Sequence, residues 1–364
     1  MTRASQQPSI HRSLHCTAKR KEKGSNFVNI RNLAKTVAVA TCTSSLAFGL
    51  ASTPAGAQAT GARALTPVTV AYVPLPLFEP LFVAMHDGFF AKNGIDVRLT
   101  VVGSGQSATT LAATNRVQVV LGGFSAGMFN AIHQGLNFKV VGSMAEEARG
   151  TAANGLVIAK SDWSSNPAKI AAALKGAKIA VDGGAGSTGA YLAARALAKF
   201  HLHLSQVTLV NLAFPEMASA LKSGGVTAAY MSTPFLGAAL SAGAGKLVAG
   251  APIGVPATGV IYGGNFARTK TAQHFFDALV EASKKLQGKA ANSKANLEIV
   301  AKATGESLSL LEAEPPNVFS PNLAPPTAVL AQMQRIYLVN HNLDYTSPIP
   351  SSKYVDTAFA KHAS

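Results

Sequence analysis

Ser125 lies in the run GFSAG at positions 123–127, which matches the G-x-S-x-G pattern of a nucleophilic serine on a tight turn between a strand and a helix. An apolar run rich in valine precedes these residues, and a helix-like spacing of apolar residues follows them. The serine hydroxyl could therefore attack an acyl carbon if the fold brings a histidine and an acid beside it. It could equally hydrogen-bond a polar ligand at a helix start.

Hydrolase chemistry needs more than this serine. An α/β-hydrolase carries an acid and then a histidine downstream of its nucleophile, and an oxyanion loop such as HGGG upstream. No His-Gly-Gly run precedes Ser125. Asp344 or Asp356 followed by His362 has the right order, but His362 lies within the last few residues, where fraying is expected. A Ser125 esterase is therefore the less favoured alternative, because short motifs match by chance.

The segment around Ser125 has a counterpart later in the chain. From Val68 the pattern is strand, proline-rich loop, helix, strand, glycine-rich loop, helix and strand, and the same order starts again at Lys178. This alignment places VQVVLGGFSAG opposite VTAAYMSTPFL, so that a hydroxyl-bearing loop follows the third strand of each copy. Alternating strands and helices predict two parallel α/β lobes. Because ligands of such sheets lie beyond the carboxyl ends of the strands, two facing lobes predict a cleft.

The loops at these strand ends are rich in Gly, Ser, Thr and Pro, which let the backbone approach a ligand and offer hydroxyl and N–H groups. Single hydroxyl groups, such as those of Ser104 and Ser187, can instead be ordinary helix caps. The repetition in both copies favours a cleft. The candidate ligand-binding residues are Phe78, Gln106, Phe124, Ser125, Gly186, Ser187, Thr188, Phe214, Glu216, Ser232 and Thr233.

Aromatic residues and charge indicate the kind of solute. If two or three aromatic side chains line the cleft, the solute is organic, with an apolar or planar part. No Lys or Arg falls inside the strand-end loops, so an anionic group such as a sulfonate or carboxylate would rely on helix N-termini and hydroxyls. Arg149 is the nearest candidate counter-charge, although a surface ion pair explains it better. The aromatic candidates, of which core packing is expected to take about half, are Tyr72, Phe78, Phe124, Tyr191, Phe214 and Phe235.

The first 59 residues have the pattern of a secretory signal peptide: a polar, basic start, the apolar stretch TVAVATCTSSLAFGLA, and small residues ending in PAGAQA. The apolar stretch is too short and too interrupted to span a membrane. We expect residues 1–59 to be removed on export to the periplasm, so that the mature chain starts at or near Thr60. Cys16 and Cys42 fall within this part, so no thiol or disulfide chemistry is expected in the mature chain.

The net charge of +15 includes this leader, whose eight basic residues and one acidic residue leave +8 when removed. The remaining excess is spread thinly, with no run of Lys or Arg interleaved with aromatics, so no nucleic-acid binding is expected. His201 and His203 have no acidic cluster nearby and are expected at the surface rather than on a metal. We expect no metal, no cofactor and no catalytic residue.

The chain is expected to cross twice between the two copies of the pattern. The outgoing crossing is predicted within residues 154–160, and the proline-broken run GKLVAGAPIGVPATGVIYGGNF is predicted to return the chain as a strand. One lobe then comprises residues 60–155 with 258–364, and the other comprises 156–257. Helical patterns after Thr269 are expected to cover the first of these lobes.

These features together resemble the nitrate/sulfonate/taurine family of ABC-importer substrate-binding proteins, also described as thiamine-pyrimidine-synthase-like. The resemblance spans almost all of the mature chain, in the family's order. Where the family carries an acidic residue before the third strand of each copy, this chain has Gln118 and Thr227. The matching pieces are PLFVAMHDGFFAKNGIDVRL, GSGQSATTLAATNRVQVVLGG, NAIHQGLNFKVVGSM, LKGAKIAVDGGAGSTGAYLAARALAKFHLHLSQVTLVNLAFPEMASALKSGGVTAAYMSTP and YVDTAFAKHA.

The resemblance implies an α/β, two-lobed periplasmic-binding-protein fold of type II, with two parallel or mixed sheets flanked by helices and a hinge at two crossings. It also implies that a small solute is captured in the cleft and delivered to a membrane permease driven by an ATPase. We expect a monomer without enzymatic activity. A secreted sensor of the same fold, which hands its ligand to a receptor kinase, is the alternative.

Overall fold

The computed structural model describes residues 64–148 and 152–363, except for the side chain of Gln106. The predicted signal peptide, the start at Thr60 and Arg149 lie outside the described residues. Within the described part of the chain, no helix is both long and apolar enough to cross a membrane.

The described residues alternate between strands and helices along most of the chain. The strands are β1 (Thr66–Tyr72), β2 (Ile95–Val101), β3 (Val119–Gly123), β4 (Lys139–Ser143), β5 (Glu146–Glu147), β6 (Asn154–Ala159), β7 (Lys178–Val181), β8 (Thr208–Asn211), β9 (Ala228–Ser232), β10 (Gly245–Gly250), β11 (Thr258–Tyr262) and β12 (Asn317–Val318). The α-helices are α1 (Glu79–His86), α2 (Phe89–Lys92), α3 (Gly105–Ala113), α4 (Ala126–His133), α5 (Pro167–Leu174), α6 (Thr188–Ala198), α7 (Phe214–Ser223), α8 (Phe235–Ser241), α9 (Lys270–Lys285), α10 (Lys294–Thr304), α11 (Leu308–Ala313), α12 (Thr327–Val339) and α13 (Ala358–His362).

Two five-stranded sheets share one strand order. The first runs β2-β1-β3-β11-β4 and the second β8-β7-β9-β6-β10. In each sheet the first three strands are parallel, and the last two add antiparallel pairs. The repeat read from the sequence is therefore confirmed, and both sheets are mixed, as expected of the α/β class.

The central strands explain why apolar runs rather than alternating patterns mark these sheets. β3 and β9 are buried along almost their whole length, because helices cover both faces of each sheet. Three clusters of buried apolar side chains fill the space between sheets and helices. One cluster belongs to each copy of the pattern, and the third contains residues of both copies, so the strand-end loops start from a packed core.

The two crossings are strands that join the opposite sheet. β6 enters the second sheet beside β9, and β11 enters the first sheet between β3 and β4. The run expected to be one returning strand holds two: β10 stays in the second sheet, and only β11 returns to the first. The prolines Pro252 and Pro256 lie between them, where they break strand pairing.

The C-terminal helices differ in part from the expectation that they cover one lobe. α9 packs on α1, α2 and β2, on the first sheet, as predicted. α12 instead contacts both α4 and α6, which belong to different copies of the pattern. Its apolar side chains, such as Met333, belong to the cluster that extends beneath both sheets.

Gln118 shows what replaced the acidic residue of the family pattern. Its side-chain oxygen accepts a hydrogen bond from the Thr69 N–H at 2.8 Å. The amide therefore joins the start of β3 to β1, which is a structural role.

Candidate functional site

A cavity of about 110 Å³ lies where the strand ends of the two sheets face each other. Many water-sized molecules, or one small organic molecule, would fit in this volume. The segments after β1, β2, β3 and β4 contribute to one side, and those after β7, β8 and β10, with the end of β9, contribute to the other. Its lining residues are Val73, Leu75, Leu77, Phe78, Ser104, Gly105, Gly122, Gly123, Ser125, Ala145, Glu147, Asn154, Asp182, Gly183, Ser187, Thr188, Gly189, Leu192, Phe214, Tyr230, Ser232, Ala251, Val255, Ala257 and Thr258.

Three serines that line the cavity are also helix N-caps. The Oγ atoms of Ser104, Ser125 and Ser187 accept the N–H groups of the third residue of α3, α4 and α6, at 3.3, 3.2 and 3.2 Å. A hydroxyl that accepts a cap bond still has its own hydrogen to donate. The cap and the ligand interpretations are therefore compatible, because each serine caps its helix, lines the cavity and keeps an O–H that can donate to a solute.

The strand ends of the two sheets touch beside these serines. The Ala126 N–H donates to the Gly186 carbonyl oxygen at 2.8 Å, and the Thr188 hydroxyl donates to the Phe124 carbonyl oxygen at 3.2 Å. Gly123 is needed for this approach, because a Cβ atom there would lie 2.1 Å from Thr188 Oγ1.

Tyr337 on α12 stabilises the same contact between the two strand ends. Its hydroxyl lies 2.9 Å from the carbonyl oxygen of Phe124 and 3.0 Å from that of Ser187. One O–H group thus links the carbonyl oxygen of Phe124, the residue before the N-cap Ser125, with that of the N-cap Ser187. The side chain is fully buried, so this bond is shielded from water.

A network of hydrogen bonds connects three other polar residues of the cavity lining, Glu147, Asn154 and Ser232. Glu147 accepts the Ala153 N–H at 2.9 Å and the Asn154 side-chain N–H at 2.7 Å. Asn154 in turn accepts the hydroxyl hydrogen of Ser232 through its side-chain oxygen. Burial raises the pKa of Glu147, against the lowering effect of these hydrogen bonds. The network connects β5 with β6 and the end of β9.

Asp182 and Tyr230 add two polar groups whose side chains make no hydrogen bond to another described residue. The Asp182 carboxylate follows β7 directly and makes no hydrogen bond to any described residue, and burial raises its pKa to about 6. The hydroxyl of Tyr230 is buried without a hydrogen-bond partner among the described residues. Burial and the negative charge of Glu147 hold the Tyr230 pKa well above its usual range, so this hydroxyl stays neutral and can donate or accept a hydrogen bond.

Six of the eleven candidate ligand residues line the cavity: Phe78, Ser125, Ser187, Thr188, Phe214 and Ser232. Phe124 is fully buried in the core and contributes only its carbonyl oxygen. Gly186 accepts the Ala126 N–H, and Thr233 donates its N–H to Ala153. Glu216 is exposed and caps α7 by accepting the Ala213 N–H at 3.3 Å. The Gln106 side chain lies outside the described part.

Two of the six aromatic candidates, Phe78 and Phe214, line the cavity. Tyr72, Phe124 and Tyr191 are core residues. Phe235 lies behind the wall, where its ring stacks on that of Phe214 at a centroid distance of 5.7 Å. The condition that favours an organic solute is therefore met.

Sequence reasoning missed Glu147, Asn154, Asp182 and Tyr230 as lining residues. Asp182 immediately precedes the glycine-rich loop that starts at Gly183, so placing the start of that loop one residue earlier would have included Asp182. Tyr230 lies two residues before Ser232 in β9, and alternate residues of a strand share a face. Glu147 and Asn154 gave no local signal, because the pairing of β6 with β9 brings Asn154 to the cavity and a hydrogen bond to Asn154 holds Glu147 beside it.

The structure gives Ser125 no hydrolase triad within the described residues. Its Oγ accepts the Met128 N–H, and no described histidine hydrogen-bonds to it. Asp344 instead accepts a hydrogen bond from Gln134 at 2.6 Å, and Asp356 caps the Ala358 N–H.

His201 and His203 are exposed, and the described residues contain no group of three or more side chains suited to a metal ion.

A sequence model of the NMT1-like family matches residues 61–302. This range runs from before β1 to within α10 and includes every residue that lines the cavity. No curated protein matches the chain.

Solved structures share the fold at low sequence identity. The alkanesulfonate-binding protein SsuA from Xanthomonas axonopodis pv. citri, bound to MOPS, has a TM-score of 0.64 and 16% identity, covering 80% of this chain and 98% of its own. The periplasmic nitrate-binding protein NrtA from Synechocystis PCC 6803 has a TM-score of 0.67 and 12% identity, covering 82% and 88%. The fold is therefore that of type II periplasmic-binding proteins, as the resemblance implied.

An enzyme has the same fold. A mutant of DszB, a desulfurization enzyme, in complex with biphenyl-2-sulfinic acid has a TM-score of 0.56 and 19% identity, covering 82% of this chain and 98% of its own. The architecture alone thus serves both binding proteins and a catalyst, so function has to be argued from the cavity.

Proposed function

We propose that this chain, which belongs to the NMT1-like family, is the periplasmic substrate-binding component of an ABC importer. It captures a small polar organic solute between its two sheets and delivers it to a membrane permease with its ATPase. The observation that carries this proposal is the cavity itself. Its wall combines three capped helix starts, two aromatic faces and unpaired polar groups, and none of the described residues forms a nucleophile–base pair there.

The proposal includes a hinge. The lobes comprise residues 60–155 with 258–364, and 156–257, and they close on the solute by rotation at the two crossings, near Asn154 and Thr258. Both of these residues line the cavity, so closure and binding would be coupled. The chain acts as a monomer after its signal peptide is removed.

The relatives support this class of function. SsuA is an alkanesulfonate-binding protein and NrtA a nitrate-binding protein, and both bind small solutes in this fold. Phe78 and Phe214 in the wall favour an organic solute over a bare inorganic anion.

Native mass spectrometry of the protein purified from its source tests the proposal, because a closed cleft retains its solute during mild purification. We expect an additional small-molecule mass that is lost on denaturation. Isothermal titration of the stripped protein with the identified solute should then show one site. A well-folded protein that neither retains nor binds any small molecule would contradict the proposal.

Substitutions of two hydroxyl-bearing cavity residues, with one control substitution elsewhere, test which side chains contribute to binding. We expect Ser125→Ala and Thr188→Ala to weaken solute binding about tenfold, which corresponds to the loss of one hydrogen bond of about 1.4 kcal/mol. Ser307→Ala removes the same kind of cap, the bond to the Leu310 N–H at the start of α11, away from the cavity. It should lower stability by a similar amount without changing affinity.

An esterase centred on Ser125 is the second candidate, since DszB shows that an enzyme can share this fold. Turnover of short-chain esters that disappears in Ser125→Ala would favour it. A sensor that passes the solute to a receptor kinase binds it in the same way. Neighbouring genes for a permease and an ATPase favour transport, whereas a neighbouring receptor-kinase gene favours the sensor.

A further inference from the structure

The fixed charges of the cavity wall are all negative in the described part of the chain. Glu147 and Asp182 line the cavity, and no described Lys, Arg or His side chain does. An anionic solute would therefore face two carboxylates without a compensating cation among the described side chains. The helix starts at Ser104, Ser125 and Ser187 offer partial positive charge, but each is worth less than a full opposite charge.

Glu147 is held in place as an acceptor rather than as part of an ion pair. Its side chain is 5% exposed, and the hydrogen bonds from Ala153 and Asn154 fix both of its oxygens. A carboxylate offers about four acceptor positions, so these bonds leave others open. No described basic residue pairs with it. Burying such a charge is costly until a cation or a further donor arrives.

Tyr230 provides an independent sign of a missing ligand. It is 2% exposed, lines the cavity, and its hydroxyl has no hydrogen-bond partner among the described residues. Leaving such a group unpaired costs about 1–3 kcal/mol. The nearby Glu147 charge and the open hydroxyl together form a place for a group that has hydrogen atoms to donate and a positive charge.

The rest of the wall suits the body of an organic cation. Leu75, Leu77, Leu192 and Val255 supply apolar surface, and Phe78 and Phe214 supply aromatic rings. A ring face attracts a cation within about 6 Å, most strongly where water is excluded.

We propose that the solute is an organic cation, an ammonium or amidinium group on an apolar body, whose charged end is held by Glu147, Asp182 and the hydroxyl of Tyr230. This inference rests on the proposed binding function and specifies its substrate class. The sequence suggested an anionic or polar organic solute, such as a sulfonate or carboxylate, and this inference departs from the anionic choice. The cation offsets one of the two negative charges, and its N–H groups donate to the acceptors that the described residues leave open.

Benzamidine, benzamide and benzoate test this inference, because they have nearly the same shape and differ in charge. Titration calorimetry on the stripped full-length mature protein at pH 7.5 should give at least tenfold tighter binding of benzamidine than of the other two compounds. Glu147→Gln and Asp182→Asn should each remove at least tenfold of this preference. Glu146→Gln, a neighbouring carboxylate that does not line the cavity, should leave it unchanged. Circular dichroism checks the fold of each variant, and Asp182→Asn keeps the test valid if Glu147→Gln misfolds.

Each outcome separates this inference from the proposed function. Tighter binding of benzoate, or a benzamidine preference unaffected by either variant, would overturn the cationic solute while leaving solute binding intact. If none of the three compounds binds, the charge at pH 7.5 of the solute found by native mass spectrometry decides: a cation supports the inference, and a neutral or anionic solute overturns it. If no solute is found at all, both proposals fail.

Discussion

Ser125 illustrates how one hydroxyl can match a catalytic motif and have another task. The strand, turn and helix expected around a nucleophilic serine are present, but the Oγ atom accepts the N–H of Met128, the third residue of α4. Such a cap is worth about 1 kcal/mol of helix stability. Its hydrogen remains available to the cavity, which is what a binding site needs and what a nucleophile without a base lacks.

Asp182 makes solute binding dependent on pH. Its pKa is raised to about 6 by burial, the pKa of Glu147 is raised by the same cause, and Tyr230 stays neutral. Protonation removes the charge that holds a cation, so affinity for benzamidine should be constant above pH 7 and fall as the pH drops through 6. We expect at least a fivefold loss between pH 7.5 and 5, measured by titration calorimetry.

The Asp182→Asn variant provides the control for this profile. It should bind more weakly at pH 7.5 and lose less affinity on acidification. An affinity that rises as the pH falls would contradict the prediction, because that is the behaviour of an anion that gains from neutralised carboxylates.

Among the elements, α12 differs most from its expected role. The helical pattern gave its position along the chain but not its neighbours. In the fold it packs against both α4 and α6 and places Tyr337 beneath their starts. A segment from the C-terminal part of the chain thus stabilises the contact between strand ends that lie far apart in sequence.

Tyr337→Phe should loosen this contact. The change removes an O–H group that reaches both the Phe124 and the Ser187 carbonyl oxygens, so we expect a loss of about 1–2 kcal/mol in the free energy of unfolding. Solute affinity should fall as well, because both helix starts line the cavity. Urea denaturation and titration calorimetry measure the two effects.

Tyr262→Phe is a matched control for this experiment. Its hydroxyl is also buried and donates to a carbonyl oxygen, that of Ala272, at 2.9 Å, but away from the cavity. It should lower stability and leave affinity unchanged. Equal effects of the two variants on affinity would show that Tyr337 has no special part in the site.

At the scale of the whole molecule, the two sheets meet at very few residues around the cavity. Gly123 on one side and Thr188 on the other approach so closely that a methyl group at Gly123 would overlap the Thr188 side chain. This contact belongs to the closed arrangement in the proposed hinge motion. A substitution that separates Gly123 from Thr188 should therefore favour an open arrangement of the lobes.

Gly123→Ala should therefore hold the lobes apart. We expect solute affinity to fall at least tenfold and small-angle X-ray scattering to show a larger radius of gyration in the presence of solute. Adding Thr188→Gly removes the overlapping side chain and should restore closure in scattering. Gly103→Ala is the control, because a Cβ atom there has no neighbour within 4 Å. Unchanged scattering and affinity in Gly123→Ala would contradict the closure model.

The sequence by itself determined the repeated α/β pattern, the family and the hydroxyl-bearing loops with Ser125, Ser187 and Ser232. These features are local: the spacing of apolar residues and the cap residues follow from the geometry of single strands and helices. Two parallel copies of one pattern also imply where a ligand binds, because strand ends meet at one edge of each sheet.

Only the tertiary structure decided the charge of the cavity and what surrounds it. Asn154 and Tyr230 meet because β6 pairs with β9, Glu147 joins them through its hydrogen bond to Asn154, and α12 contributes Tyr337. Such contacts depend on register and packing between distant segments, which leave no periodic signal in the chain. Phe124 is the converse case: its place beside Ser125 suggested a ligand contact, but its side chain points into the core.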